Sequence, residues 1–316
     1  MRTNLLRSIS FLAFILLTTA AVWATPALVL STTPSKNQLN INAAASITVT
    51  FDQSMNNASI TTSTVKVYGS FTGFHDGSIS YGSNNATFDP TNNFKPGEIV
   101  TVTVTTGVEN ASNAPLASPY VFMFTVDAPA GNGKFRAPVN YTAYGTGSGN
   151  HYSVLADFDN DGDIDIATTI SLYNIISVML NNGDGTYASA VTYPTLGSNS
   201  SFDISAADVD GDGDMDLLVA NNNAFGLSVF LNNGSGGFGA RNDYDFNFPQ
   251  SNAQFLVTVD IDGDGDIDVV ANDLTYNYLH VMKNNGSGVF TSTGTDEEFT
   301  TKFGALACGD LDKDGD

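Results

Sequence analysis

The residues best placed to do chemistry are aspartates spaced two apart: Asp157, Asp159, Asp161, Asp163 and Asp165, with Gly162 inside the run. The pattern returns as Asp208, Asp210, Asp212, Asp214 and Asp216 around Gly213, and as Asp260, Asp262, Asp264, Asp266 and Asp268 around Gly265. A fourth, shorter run holds Asp310, Asp312 and Asp314, then Gly315 and Asp316. When the backbone curls, side chains at positions one, three, five and nine converge, position seven offers its carbonyl, and the glycine permits the sharp turn. Carboxylates this crowded repel one another unless a divalent cation sits among them. All-oxygen ligation selects a hard ion. Calcium, which tolerates irregular geometry, fits better than magnesium, which demands an octahedron and keeps its waters. Zinc would want His or Cys, and the loops contain neither.

A helix-loop-helix calcium site opens with the same spacing but needs a Glu at position twelve and a helix on each side. Position twelve here is Thr168, Val219 or Ala271, and the apolar flanks are strand-like. Loops at the tips of β-hairpins are therefore expected. An acidic turn holding no metal is the plainer alternative, and three complete copies in register argue against it.

The elements that must carry these loops recur with them. First aspartates are 51, 52 and 50 residues apart. Aromatic residues Phe135, Tyr187, Phe238 and Phe290 follow at 52, 51 and 52. Asn-Asn-Gly turns recur at Asn181, Asn232 and Asn284, and Asn-Gly favours tight hairpins because both residues tolerate positive φ. One unit then reads strand, acidic loop, strand (Met215 to Ala220), turn, strand (Leu227 to Leu231), Asn-Asn-Gly hairpin, strand (Phe238 to Tyr244). Four strands at this period predict a β-propeller blade. Residues 135–316 supply three full units and part of a fourth, fewer than a typical ring. The expectation is a fragment of a longer protein, with ring closure by association as the alternative.

Residues 25–127 follow another pattern. Ile47, Val49 and Phe51 alternate with polar residues, as do Val100, Val102 and Val104, which places one face on a core and the other in water. Further strands are expected at Thr64 to Tyr68, Ser78 to Tyr81, Ala86 to Phe88 and Tyr120 to Val126. About seven such strands without helical periodicity predict a β-sandwich. Cys308 is the single cysteine, so no disulfide forms within the chain, and its apolar setting predicts a core position. A Pro/Gly-rich linker, 128–134, joins the halves. The fold class expected is all-β: a sandwich followed by an incomplete propeller.

The first 24 residues read as an export signal, with Arg2 and Arg7, an apolar stretch from Ile9 to Leu17, and Val22-Trp23-Ala24 as the exit. Cleavage after Ala24 is expected, an uncleaved anchor being the alternative, and no later stretch has the length and apolarity of a membrane span. Basic residues total 11 against 33 acidic ones, a net charge of −22, and nineteen of the acids lie in the four loops. Such a chain repels nucleic acid and anionic lipid. Its 21 Phe and 12 Tyr argue for folded sheet over disorder.

Two resemblances follow from quoted residues. Ser31-Thr-Thr-Pro34, Ile47-Thr-Val-Thr-Phe51 with Met55, Ser63-Thr-Val65, Lys95-Pro-Gly-Glu98 and Phe122-Met-Phe-Thr-Val126 resemble the bacterial Ig-like domain first named for S-layer proteins. That implies a spacer or adhesion module. Phe303-Gly304 leading into Asp310, Asp312 and Asp314 is similar to the FG-GAP repeat of integrin-α propellers, and Val229-Phe-Leu-Asn-Asn-Gly234 to the related VCBS repeats. This resemblance implies blades around an axis, with calcium in the hairpin joining a blade's first two strands. The family's Gly-Ala-Pro segment is replaced by Thr168-Thr-Ile170 or Ala220-Asn-Asn222, which puts integrin-like ligand recognition in doubt.

No catalytic constellation emerges. His75, His151 and His280 are scattered, and His280 alternates within a strand pattern. Gly145-Thr-Gly-Ser-Gly149 lacks the Lys and following helix of a phosphate loop. The expected function is a secreted or cell-surface, non-catalytic, calcium-binding adhesion protein that meets an extracellular protein or glycan. The alternative is the binding part of a secreted carbohydrate-active enzyme. His151, Tyr152, Phe202 and Phe255, just before or within the first blade strand, are candidate contacts for either.

Overall fold

The computed structural model describes residues 25–130, 138–144, 150–196, 201–222, 225–246, 252–294, 297–299 and 304–308. The expected leader, most of the linker, Phe135, Gly145 to Gly149, Phe303 and the fourth acidic run all lie outside them. The described residues are all-β, with two single 3-10 turns at Asn57–Ser59 and Ser171–Tyr173.

Nine strands build the first half: β1 (Val29–Thr33), β2 (Gln38–Ile41), β3 (Ile47–Phe51), β4 (Val65–Gly69), β5 (Gly73–Phe74), β6 (Gly77–Gly82), β7 (Asn85–Pro90), β8 (Ile99–Val104) and β9 (Tyr120–Val126). They form two sheets, β1-β3-β7-β6 and β2-β9-β8-β4-β5. The period-two pattern sets the register. Ile47 faces Phe88 and Val49 faces Ala86 in one sheet; Val67 faces Val102, and Val102 faces Phe122, in the other. These side chains fill the space between the sheets and are fully buried. Burying each large apolar side chain contributes about 2 kcal/mol. β1, β2 and β5 escaped the sequence reading because they carry no alternation: β1 buries only Thr32 and β2 only Ile41.

One charge lies inside this half. Glu98 is buried, and its carboxylate accepts the backbone N–H groups of Phe71, Thr72 and Lys95 and the Thr72 hydroxyl, at 2.8–3.1 Å. It fixes the segment between β4 and β6 that reaches toward the second half.

The repeats form three antiparallel sheets, two of four strands and one of five. The first holds β10 (Asn150–Ala156), β11 (Asp165–Ile170), β12 (Ile175–Met179) and β13 (Val191–Pro194). The second holds β14 (Ser201–Ala207), β15 (Asp216–Asn221), β16 (Leu227–Phe230) and β17 (Asn242–Tyr244). The third holds β18 (Ala253–Val259), β19 (Asp268–Asp273), β20 (Tyr278–Asn284) and β21 (Phe290–Ser292), with a short β22 (Glu297–Glu298) pairing with β20 beside β21. Each follows sequence order across the sheet, and each first strand has a register shift at the same place. β10 lies beside β14 and β14 beside β18, so the sheets fan from their first strands; the described residues do not close them into a ring. β15 is buried along its whole length because neighbouring sheets cover both faces, which explains its unbroken run Leu217-Leu-Val-Ala220.

The expected strand from Phe238 to Tyr244 is shorter, Asn242–Tyr244. Gly236, Gly237 and Gly239 surround Phe238, which makes a single bridge to Asn232 and packs edge-on against Phe158 and Tyr193. Cys308, expected in a core, is exposed, because residues 304–308 join no strand; its Sγ lies 4.0 Å from the Thr258 carbonyl.

Neighbouring repeat sheets are joined by the first Asn of the second and third Asn-Asn-Gly turns. Asn232 Nδ2 donates to the Met215 carbonyl of its own sheet and to the Phe158 carbonyl of the preceding one, both at 2.9 Å. Asn284 Nδ2 likewise donates to Ile267 at 3.1 Å and back to Val209 at 2.7 Å. Asn181, in the first sheet, makes only the bond within its own sheet, to Ile164. Removing the Asn232 amide deletes two buried hydrogen bonds, one of them between sheets, each contributing about 0.5–1.5 kcal/mol. Asn232→Ala should therefore destabilise the protein more than Asn181→Ala in urea unfolding; equal losses would mean that the bond between sheets contributes nothing.

Candidate metal centres

Each acidic loop is the nine-residue connection between a sheet's first two strands. Asp157, Asp208 and Asp260 directly follow β10, β14 and β18, and Asp165, Asp216 and Asp268 open β11, β15 and β19. In the antiparallel register the ninth residue pairs with the one just before the first: Asp165 with Ala156, Asp216 with Ala207 and Asp268 with Val259. The curl between them needs left-handed backbone at position four (Asn160 φ 59°, Gly211 φ 76°, Gly263 φ 71°) and at the position-six glycine (Gly162 φ 99°, Gly213 φ 92°, Gly265 φ 88°).

This curl brings three carboxylates together in every loop. One oxygen each from Asp157, Asp159 and Asp165 lie within 4.8 Å of one another, as do those of Asp208, Asp210 and Asp216, and of Asp260, Asp262 and Asp268. The position-nine carboxylate is held hardest. Its Oδ2 accepts the backbone N–H of position two (Phe158, Val209 or Ile261) and its Oδ1 that of the first turn Asn (Asn181, Asn232 or Asn284), at 2.7–3.2 Å. The position-one Oδ2 accepts the position-six glycine N–H at 2.9–3.0 Å. Its Oδ1 accepts the position-four glycine N–H in loops two and three. Loop one has Asn160 at that place, and Asp157 Oδ1 is buried without a partner.

The other two aspartates do different work. Asp161, Asp212 and Asp264, at position five, accept the N–H of position seven at 2.9 Å and stand outside the three-carboxylate sets. At position seven, Asp214 accepts a hydrogen bond from Asn160 of the neighbouring loop at 2.6 Å, Asp266 pairs with Lys66 at 2.5 Å, and Asp163 lies over Gly183. Asp310, Asp312 and Asp314 fall outside the described residues.

Burial works against ionisation here. It pushes Asp165 and Asp208 up to about 6, Asp268 to about 7 and Asp216 to about 8, and it also raises Asp157 and Asp260. Neighbouring carboxylates add to the rise in every set. Buried acids this perturbed, one with an orphaned oxygen and all offering only oxygen donors, suit a hard divalent cation. The strand flanks exclude the helix-loop-helix alternative at these loops.

The sandwich lies against the loops. Lys95 Nζ is 3.6 Å from Asp157 Oδ2, the Phe74 N–H donates to Asp208 Oδ2 at 3.2 Å, and the Thr103 hydroxyl donates to Asp260 Oδ2 at 2.9 Å. Tyr68 and Phe74 pack onto the apolar cluster of the second and third sheets. Sequence reading missed these residues; the available hint was scarcity, since 25–127 contain three lysines and no arginine. His75 borders the resulting cleft of about 720 Å³ beside Lys95, with its Nε2 2.8 Å from the Thr72 hydroxyl. His280 is buried in β20, stacked on Phe246 at 4.6 Å. Tyr152 and Phe255 meet edge-on at 5.7 Å, packing between sheets. His151 and Phe202 lie in first strands, β10 and β14.

No helix among the described residues is long and apolar enough to cross a membrane. Comparison with curated proteins finds no match. Among solved structures, the chain is similar to an Agrocybe aegerita lectin that recognises non-reducing terminal N-acetylglucosamine (19% identity, 62% of this chain and 47% of that one, TM-score 0.34). It is also similar to domains 1–6 of the surface-layer protein SbsC (11%, 88% and 34%, TM-score 0.27) and to CopC from Methylosinus trichosporium OB3b (11%, 33% and 97%, TM-score 0.25). The chain thus spans about half the length of the lectin and a third of the surface-layer protein, and likenesses this slight carry no argument. The family models are more informative. A bacterial Ig-like domain model matches residues 24–126. An FG-GAP-like repeat model matches 157–219, 208–271 and 260–316, each match opening on the first aspartate of a loop and together spanning half of the chain. The chain belongs to the FG-GAP-like repeat proteins and carries a bacterial Ig-like domain ahead of its repeats.

Proposed function

We propose that this is an exported, non-catalytic interaction protein whose repeats are β-propeller blades locked by calcium, presenting a surface to an extracellular protein or glycan. The layout we propose is an export signal (1–24), an Ig-like sandwich of the S-layer kind (25–127), a linker (128–134) and FG-GAP/VCBS blades (135–316). The observation that carries this reading is the threefold convergence of position-one, position-three and position-nine carboxylates at one place in each sheet. Asp157, Asp159 and Asp165, and their counterparts in the next two loops, would hold the ion, and Asp310, Asp312 and Asp314 stand at positions one, three and five of a fourth loop. Bound calcium would supply charge neutralisation, so that buried carboxylates stay ionised while the strand pairs they join are held rigid. Repeat turns on a rigid frame suit recognition, since loops on a fixed scaffold present contacts without first having to be ordered.

Calorimetric titration tests this directly. Sites of the extracellular type bind at about 10⁻⁴–10⁻³ M, and ligand at a hundredfold excess over its dissociation constant stabilises by about 2.7 kcal/mol per site. Calcium should raise the melting temperature and chelator lower it. Asp210→Ala should remove one binding event from the stoichiometry. A melting temperature indifferent to calcium would overturn the reading.

The perturbed carboxylates give a pH test with two opposite slopes. In chelator, Asp165, Asp208, Asp216 and Asp268 keep protons in the folded state that the unfolded chain releases near pH 4. Folding then binds protons, so stability of the metal-free protein is highest near pH 4 and falls as pH rises toward about 8. Protons and calcium compete for the same oxygens, so the calcium-induced rise in melting temperature should be largest at pH 8 and fade toward pH 5. A chelated protein that grows more stable from pH 5 to pH 8 would contradict both.

A further inference from the structure

In all three loops the Ig-like domain places a donor on the same atom, Oδ2 of the first aspartate, but the donors differ in charge. Loop two receives a peptide N–H, from Phe74, and loop three a hydroxyl, from Thr103. Both are neutral; they orient a carboxylate without opposing an ion on its other oxygen. Loop one receives the ammonium of Lys95 as an ion pair at 3.6 Å, and that ammonium gives its hydrogen bond to the Gly162 carbonyl at 3.1 Å. Asp157 belongs to the converging set, and its buried Oδ1 has no hydrogen-bond partner among the described residues.

Lysine placement sharpens the contrast. Of the domain's three lysines, Lys36 lies over the Tyr120 ring, while Lys66 and Lys95 reach the loops. Lys66 pairs with Asp266, whose position-seven carboxylate is not in the converging set, so it neutralises spare charge without standing in an ion's place. Lys283 pairs with Asp262 of loop three, but it comes from the third sheet itself and is exposed. Among the described residues, Lys95 alone joins the Ig-like domain to a carboxylate of the converging sets by a positive charge.

We propose that Lys95 is a built-in counter-cation of the first loop, so that ion binding there and seating of the Ig-like domain on the repeats oppose each other. The proposal rests on the calcium reading of the loops. Ammonium and ion repel across one carboxylate, and by reciprocity each weakens the other's hold by the same factor. Calcium loading of the first loop thereby loosens the Lys95 corner of the interface, while the Tyr68 and Phe74 contacts keep the domain tethered at the second and third sheets.

The test is calcium titration calorimetry on the full chain and on Lys95→Met and Lys95→Arg, with small-angle scattering of each protein with and without calcium. Lys95→Met should tighten one binding step about tenfold, within the usual 5–150-fold range of coupling, and leave the others unchanged. Lys95→Arg, which keeps the charge, should retain the wild-type constants. Calcium should enlarge the wild-type radius of gyration and leave that of Lys95→Met unchanged. Thermal melts in chelator establish that both variants fold. Wild-type binding constants in Lys95→Met would overturn the counter-cation role and leave calcium binding standing. Absence of calcium binding in wild type and variant alike would overturn both readings.

Discussion

A buried carboxylate at the start of each second repeat strand is the constraint on which the repeat half turns. Asp165, Asp216 and Asp268 sit at the base of their loops with both oxygens occupied by backbone N–H groups, one from the loop and one from the Asn-Asn-Gly turn. That single residue couples three segments far apart in the unit. It sets where β11, β15 and β19 begin, how the loop before them curls, and where the hairpin after the third strand must lie. A charge so enclosed is expensive to desolvate, and its neighbours at positions one and three make matters worse unless something positive balances them. A proton relieves this crowding, and under the calcium reading proposed above a bound cation would relieve it in the same place.

The buried Glu98 in the Ig-like half offers a contrast. It too is enclosed, but four donors converge on it and no second carboxylate competes. It acts as a structural clasp, holding the segment that carries Thr72 and Phe74 against the loops of the other half. One half of the chain therefore satisfies a buried acid with its own backbone, and the other gathers acids beyond what its backbone can satisfy.

Much of this was legible in the residue pattern, for identifiable reasons. Alternation in Ile47-Thr-Val-Thr-Phe51 and Val100 to Val104 has one solution once a face is buried, so those strands and their sandwich could be read directly. The acidic loops were legible through repetition, which also fixed the position of the hairpin strands around them. Strands β1 and β2 were not, because edge strands with few buried side chains leave no periodic trace. Nor was the division of labour within a loop. Spacing groups position five with one, three and nine, whereas the backbone turns it to the position-seven N–H, and the position-seven side chains meet Asn160 or Lys66. The contact between halves was the least legible, since Lys95 and Thr103 lie in segments whose local pattern concerns only their own strands and turns. Cys308 misled for the opposite reason: an apolar stretch marks a core only when sheet partners are in place to enclose it.

The Asn232 and Asn284 bonds have a direction. Each reaches from a later sheet to the position-two carbonyl of the loop before it, and the hairpin glycines Gly236 and Gly288 add bonds to those same carbonyls. Phe158 and Val209 are covered in consequence, while Ile261, the corresponding residue of the third loop, stays 42% exposed among the described residues. Sheets related in this way are laid like roof tiles, each overlapping the one made before it. As the chain emerges from its amino end, every new tile seals its predecessor's apolar edge, so the order of the sheets along the chain is also the order in which those edges are covered.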